Sequence, residues 1–155
     1  GKTFGHLHQS AFFEEIYSIT EGPPPEINLN NEKNNGETVL KLINNKLVLS
    51  AHDVSVGGTI LALAEMSMNS NFGIKIEKPK KLSNVYEYFF GEDQGRYLIE
   101  VEKLNLEKVQ EILKVNNIFN EIIGKTQKDI FEVEGELRLN INDLYNTNNR
   151  WYHNY

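Results

Sequence analysis

Residues 47–66 read LVLSAHDVSVGGTILALAEM. The apolar run Leu47–Leu49 predicts a short strand, and a polar loop with paired glycines follows it. From about Thr59 to Met68, Ile60, Leu61, Leu63, Ala64 and Met66 predict a helix that is apolar nearly all round, as a buried helix is. A strand passing through a glycine turn into a buried helix points to α/β architecture. In such sheets, ligands tend to sit beyond the carboxyl ends of the strands.

The flanking sequence fits that architecture. Phe12, Phe13, Ile16 and Tyr17 recur at helical spacing, which predicts an amphipathic helix over 9–18. Pro23, Pro24 and Pro25 then impose an extended path. Asn28 is placed to cap a second helix running to about Asn44, with Val39, Leu40 and Ile43 facing inward; Gly36 within it suggests a close backbone contact. Downstream, Phe72, Ile74 and Ile76 alternate as in a half-buried strand. VYEYFF leads to the turn GEDQGR, and Tyr97–Val101 reads as a strand. Leu106, Val109, Ile112 and Leu113 form a helical stripe ending near Asn116 and Asn117, with two or three strands expected at 118–123, 129–134 and 136–141. The tail from Asn142, carrying Trp151 and three tyrosines, reads as short helix or coil. The order predicts an α/β (α+β) domain with a mixed sheet and layered helices. With no internal repeat and no clear linker, residues 1–155 read as one domain.

Composition narrows the function. The 155 residues are 39% hydrophobic and 25% charged, enough apolar content for a buried core. No apolar run reaches the roughly 18–20 residues of a membrane helix, so no membrane partner is expected. The absence of Cys excludes a disulfide scaffold, a zinc–thiolate site and a thiol nucleophile. A net charge of −6 argues against a nucleic-acid partner. Asparagine is abundant and lysine greatly outnumbers arginine, as an A+T-rich coding bias would produce. No Asn-x-Ser/Thr sequon occurs, which favours an intracellular protein. Without an initiator Met or a basic-then-apolar leader, Gly1 is expected to begin a mature or a cloned fragment.

Two stretches carry candidate chemistry. In His52–Gly58 (HDVSVGG), helix-start amides and two glycines suit an anion, Asp53 suits a hard cation, and His52 can act as acid, base or donor. The same residues equally describe a strand-to-helix turn in which Ser55 or Asp53 caps the helix. In Gly91–Tyr97 (GEDQGRY), adjacent acids followed by an amide and an arginine suit a polar ligand bound through bidentate hydrogen bonds. They equally describe a polar turn in which Arg96 pairs with Glu92. His6 and His8 have a metal-ligand spacing but stand in an N-terminal leader, where solvation is the ordinary state. Lys78, Lys80 and Lys81 form a small basic loop, which suits a phosphate or simply a solvated face. Glu65 is expected to reach a rim or a buried partner. No P-loop, G-x-G-x-x-G or Ser-His-Asp order is present.

Together GHLHQSAFFEEI, EGPPPEINL, HDVSVGGTILALAEM, FFGEDQGRYLIEV, IIGKT and the closing Trp resemble the C-terminal domain of the phosphoribosylformylglycinamidine synthase family, synthetase subunit II. That family lies within the aminoimidazole ribonucleotide synthetase-like superfamily. The resemblance spans nearly the whole chain in motif order. It implies the fold of that C-terminal domain and a place in a longer multidomain, cytoplasmic subunit of purine biosynthesis. The implied reaction joins formylglycinamide ribonucleotide, ATP and glutamine-derived ammonia into formylglycinamidine ribonucleotide, with release of ADP and phosphate.

ATP and Mg2+ are thus implied for the intact enzyme, with the catalytic His and the ATP-site metal ligands in domains outside this chain. The implied partners are those remaining domains, a glutaminase subunit and the ribonucleotide substrate. Residue by residue, Asp53 falls at a magnesium-binding position. His52, Ser55, Gly57, Gly58, Glu92, Asp93, Gln94 and Arg96 fall at a substrate or auxiliary-nucleotide pseudo-site. This chain has Val56 where the family's later copy commonly has Asp, and Asp93 where it commonly has Ser. Both changes suit a pseudo-site kept for packing, in a fragment inactive by itself. The rival expectations are another ATP-dependent enzyme of the same superfamily, a free-standing binding or assembly module, and a stand-alone enzyme acting at HDVSVGG.

Overall fold

A computed structural model of the chain describes residues 1–79, 84–150 and 152. Its elements run α1 (Ala11–Tyr17), α2 (Leu29–Asn44), β1 (Ser50–Asp53), α3 (Gly58–Ser70), β2 (Gly73–Ile76), α4 (Val85–Phe90) and β3 (Tyr97–Glu100). A 3-10 turn (Lys103–Asn105), α5 (Leu106–Val115), β4 (Gly124–Gln127), β5 (Ile130–Val133), β6 (Leu137–Asn140) and α6 (Ile141–Asn149) complete the order. This is the expected mixture of helices with a mixed sheet. Among the described residues no helix is long and apolar enough to cross a membrane.

The chain divides into two compact units, Gly1–Ala62 with Asn84–Glu121, and Leu63–Ser83 with Ile122–Tyr155. In the first, β1 and β3 pair antiparallel, with His52 opposite Leu98 and Asp53 opposite Tyr97. Leu42, Leu47, Val109, Leu113 and Ile118 form its core, with Val48, Ile99, Val101 and Ile112 packed against them. The proline run keeps residues 21–28 free of helix and strand, as its missing N–H groups and fixed φ require. Ser10 and Asn28 cap α1 and α2 by accepting the amides of Phe13 and Asn31. Phe12 of α1 stacks on Phe90 of α4 at 4.5 Å between ring centroids and on Tyr86 at 5.4 Å, so the N-terminal segment lies beside the turn that follows α4.

The second unit carries a four-stranded sheet in the order β4-β2-β5-β6. β2 pairs parallel with β5 and antiparallel with β4, which makes the sheet mixed. Ile76, Phe131 and Val133 are buried along its two central strands. The Lys75 ammonium lies 3.9 Å from the carboxylates of both Glu132 and Glu134.

Several sequence expectations shift. Leu47–Leu49 lies outside the ladder, which starts at Ser50, although the Leu49 amide already donates to the Glu100 carbonyl at 2.8 Å. Residues 118–123 form no strand; the ladder takes the less apolar Gly124–Gln127. Apolar content misled there because Phe119 and Ile122 are exposed, while β4 is placed by its register against β2. On α2, Leu40 and Ile43 face solvent, and Thr38 and Leu42 face the core. Two asparagines share that inner side: Asn34 Nδ2 donates to the Asn116 carbonyl at 2.9 Å and Asn35 Nδ2 to the Gly95 carbonyl at 2.8 Å. Polar groups with fixed backbone partners therefore decide the face, against a simple apolar count. Gly36 does permit a close approach: a Cβ there would stand 3.2 Å from Tyr97 Oη.

Candidate functional site

The two chemistry-bearing stretches meet within the first unit. The β1–β3 ladder continues past Asp53, where the Val54 amide donates to the Arg96 carbonyl at 2.9 Å. That bond draws the HDVSVGG loop alongside the GEDQGR turn. Gly58, at φ +68°, faces the Phe89 and Gly91 carbonyls; a Cβ there would stand 2.7 Å from each. Only glycine fits such an approach in the left-handed region.

The carboxylates of the turn are taken up by the chain's own amides. Glu92 Oε1 accepts the Gly57 amide at 2.7 Å and the Ala11 amide at 2.9 Å. One acid thus serves the approach to α3 and the first residue of α1, where free N–H groups favour negative charge. The Glu92 amide donates to the His6 carbonyl at 2.9 Å. Asp93, buried at 5% exposure, accepts the amides of Phe4 and Gly5 on Oδ2 at 2.9 Å each, and that of His6 on Oδ1 at 3.3 Å.

Arg96 does not pair with Glu92, contrary to the local reading of the turn. Its guanidinium, 4% exposed, donates from Nε to the Asp93 carbonyl at 3.0 Å and from Nη2 to the Gly91 carbonyl. Nη1 donates to Thr3 Oγ1 at 3.1 Å and Thr59 Oγ1 at 3.0 Å. The rigid fork binds the turn to itself, to the N-terminal segment and to the first turn of α3. Burial pulls the Arg96 pKa below its ordinary value, while the nearby Asp93, Tyr88 and Glu92 act against that shift. Tyr88 donates its hydroxyl to Glu121 Oε2 at 3.2 Å. Burial raises the Tyr88 pKa, and the Glu121 charge and hydrogen bond raise it further.

The side chains of the remaining candidates make other contacts. His52 Nδ1 is 2.5 Å from the Asp53 carbonyl oxygen and 3.9 Å from Asp53 Oδ1. The Asp53 side chain is largely exposed at the end of β1. The Ser55 carbonyl, not its side chain or that of Asp53, receives the Gly58 amide at 3.0 Å. Gln94 is exposed and makes a long contact, 3.4 Å, with the Glu92 carbonyl. His6 Nε2 lies 3.0 Å from the Pro23 carbonyl oxygen. Lys78 pairs with Glu136, while Lys80, Lys81, Trp151 and Tyr155 lie outside the described residues.

Among the described residues no group of three or more His, Cys, Asp or Glu side chains could hold a metal ion. Asp53 offers one carboxylate, and a magnesium ion needs near-octahedral oxygen ligands. These residues do not form a self-contained magnesium site. Of the amides at the approach to α3, that of Gly57 is taken by Glu92 Oε1 and that of Gly58 by the Ser55 carbonyl.

Sequence reasoning identified Glu92, Asp93, Arg96 and Gly57. It missed their partners Phe4, Gly5 and Ala11, which donate backbone N–H groups to the two acids, and Thr3, whose hydroxyl accepts from Arg96. The available signal was an acidic pair in a glycine-flanked turn beside a glycine loop, which demands nearby amides.

The family described as AIR synthase related protein, C-terminal domain, matches residues 3–135. Phosphoribosylformylglycinamidine synthase subunit PurL of Pelagibacter ubique is 48% identical over 155 residues, covering 100% of this chain and 21% of that protein. The chain therefore spans about a fifth of the length of that curated relative. T. maritima PurL complexed with FGAR superposes with a TM-score of 0.65 at 19% identity, covering 74% of this chain and 21% of the other. T. maritima PurL complexed with ATP gives 0.64 at 18% identity, covering 73% and 21%. At such identities the two structures establish the shared fold.

Proposed function

The chain belongs to the family of AIR synthase related C-terminal domains, and from that membership we propose that it is the C-terminal domain of an ATP-dependent carbon–nitrogen ligase. The intact enzyme converts formylglycinamide ribonucleotide, ATP and glutamine-derived ammonia into formylglycinamidine ribonucleotide, ADP and phosphate, in the cytoplasm, for purine biosynthesis. The carrying observation is the 48% identity, along the entire chain, to a synthase subunit of that name. The PurL complexes named for FGAR and ATP support the substrate classes.

Within that enzyme this chain serves as scaffold. In domains outside the chain, ATP phosphorylates the amide oxygen of the substrate with release of ADP, and ammonia attacks the activated amide carbon, expelling that oxygen as inorganic phosphate. Glu92, Asp93 and Arg96 act as positioning residues that hold the N-terminal segment and the start of α3. His52, Asp53, Ser55, Gly57, Gly58 and Gln94 complete a pseudo-site whose main task is packing. The partners are the remaining domains of the subunit and a glutaminase subunit.

The test is an assay of amidine formation from the ribonucleotide, ATP and ammonia, using the longer protein that contains these 155 residues and the 155-residue chain separately. Turnover by the longer protein and none by the shorter chain is expected. A longer protein inactive with these substrates, or a shorter chain that turns over, overturns the reading.

A further inference from the structure

Three successive amides of the N-terminal segment converge on the side chain of a residue almost ninety positions away. Phe4 N and Gly5 N each lie 2.9 Å from Asp93 Oδ2, and His6 N lies 3.3 Å from Oδ1. Gly5 sits at φ +81°. Successive N–H groups brought together through a left-handed residue form a concavity that attracts oxyanions. Arg96 adds a buried positive charge in the same turn, with its Nε on the Asp93 carbonyl. A carboxylate presents to those amides the oxygen acceptors and negative charge that one edge of a phosphate would.

We infer that the amides of Phe4, Gly5 and His6 form an oxyanion cradle whose resident ligand is the chain's own Asp93 carboxylate. Asp93 excludes inorganic phosphate from the turn. A shorter neutral side chain at that position leaves the cradle free to take a tetrahedral oxyanion. Glu92 does not refill it, because Glu92 Oε1 is held by Ala11 and Gly57.

The test is a titration of inorganic phosphate into the 15N-labelled 155-residue chain, with chloride at equal ionic strength as the control. Three forms are compared: the unaltered chain, Asp93→Ser and Asp93→Asn. In Asp93→Ser, the Phe4, Gly5 and His6 amides shift saturably with millimolar phosphate. The unaltered chain and Asp93→Asn, whose carboxamide oxygen still fills the cradle, stay silent at those amides. A folded Asp93→Ser without the response, or an equal response in the unaltered chain, overturns the inference. If Asp93→Ser does not stay folded during the titration, its Tm gives the readout. Phosphate must then raise that Tm above the chloride value by more than it does for the unaltered chain, since phosphate strengthens burial generally. An equal rise overturns the inference as well.

Discussion

Glu92 Oε1 lies 2.7 Å from the amide nitrogen of Gly57, so the chain supplies its own carboxylate to the approach to α3. The same oxygen holds Ala11 at the start of α1. One acid thereby ties together segments separated by more than forty residues of sequence. Under the proposed function, that engagement makes the turn a brace for the fold.

Replacing Glu92 separates charge from hydrogen bonding. Glu92→Gln keeps an acceptor for Ala11 and Gly57 and is expected to lower stability by less than about 1 kcal/mol. Glu92→Ala strands both amides and is expected to lower it by about 1–3 kcal/mol. Urea unfolding of the two variants, with hydrogen exchange at Ala11 and Gly57, checks this. Faster exchange at those two amides is expected only in Glu92→Ala.

Arg96→Lys keeps the charge and loses the fork. A lysine cannot reach Thr3, Thr59 and the carbonyls of Gly91 and Asp93 together. A loss of about 2–4 kcal/mol in urea unfolding is expected for a buried, hydrogen-bonded charge that loses most of its partners. A loss below about 0.5 kcal/mol, within the range of ordinary surface changes, would contradict the clamp.

Two glycines should respond in opposite directions. Gly58→Ala places a Cβ 2.7 Å from the Phe89 and Gly91 carbonyl oxygens at φ +68°, and is expected to destabilise by more than about 2 kcal/mol. Gly36→Ala lies inside α2, where a Cβ meets only the hydroxyl end of Tyr97 at 3.2 Å. That ring end can yield, so a gain of about 0.5 kcal/mol from helix propensity is expected. Thermal unfolding of both variants distinguishes the two environments.

The Tyr88 phenol is held neutral by burial and by Glu121. Its folded pKa is raised above the unfolded value of 10.0, so its contribution to stability is fully present below pH 10. That contribution is lost as the pH rises beyond 10 towards the folded value. Urea midpoints at pH 8 and pH 10.5 should therefore fall further for the unaltered chain than for Tyr88→Phe. Equal falls would show that the phenol is not shielded.

Much of this arrangement was legible in the sequence, and the remainder was hidden for identifiable reasons. The helix cap at Asn28, the proline break and the helix after Gly57-Gly58 follow from local chemistry and stand where the residues put them, although that helix is buried on one side only and Leu61 is exposed. The apolar stretch at 118–123 misled because strand position in β4 is fixed by pairing with β2 rather than by its own composition. Leu40 and Ile43 misled because Asn34 and Asn35, with carbonyl partners far along the chain, set the inward face of α2. The GEDQGR turn was recognised as chemically special. Its partners are mostly backbone amides, which no residue-type pattern displays.

The claim that Glu92, Asp93 and Arg96 serve the fold rather than a ligand is tested most directly by NMR on the 15N-labelled 155-residue chain. Mg-ATP, Mg-ADP and formylglycinamide ribonucleotide are each titrated while the backbone amides of residues 92–96 and of Phe4, Gly5, His6 and Gly57 are followed. The expected result is no saturable change at any of these amides. Saturable shifts at Glu92–Arg96 with any of the three would contradict the account and make the turn a ligand site.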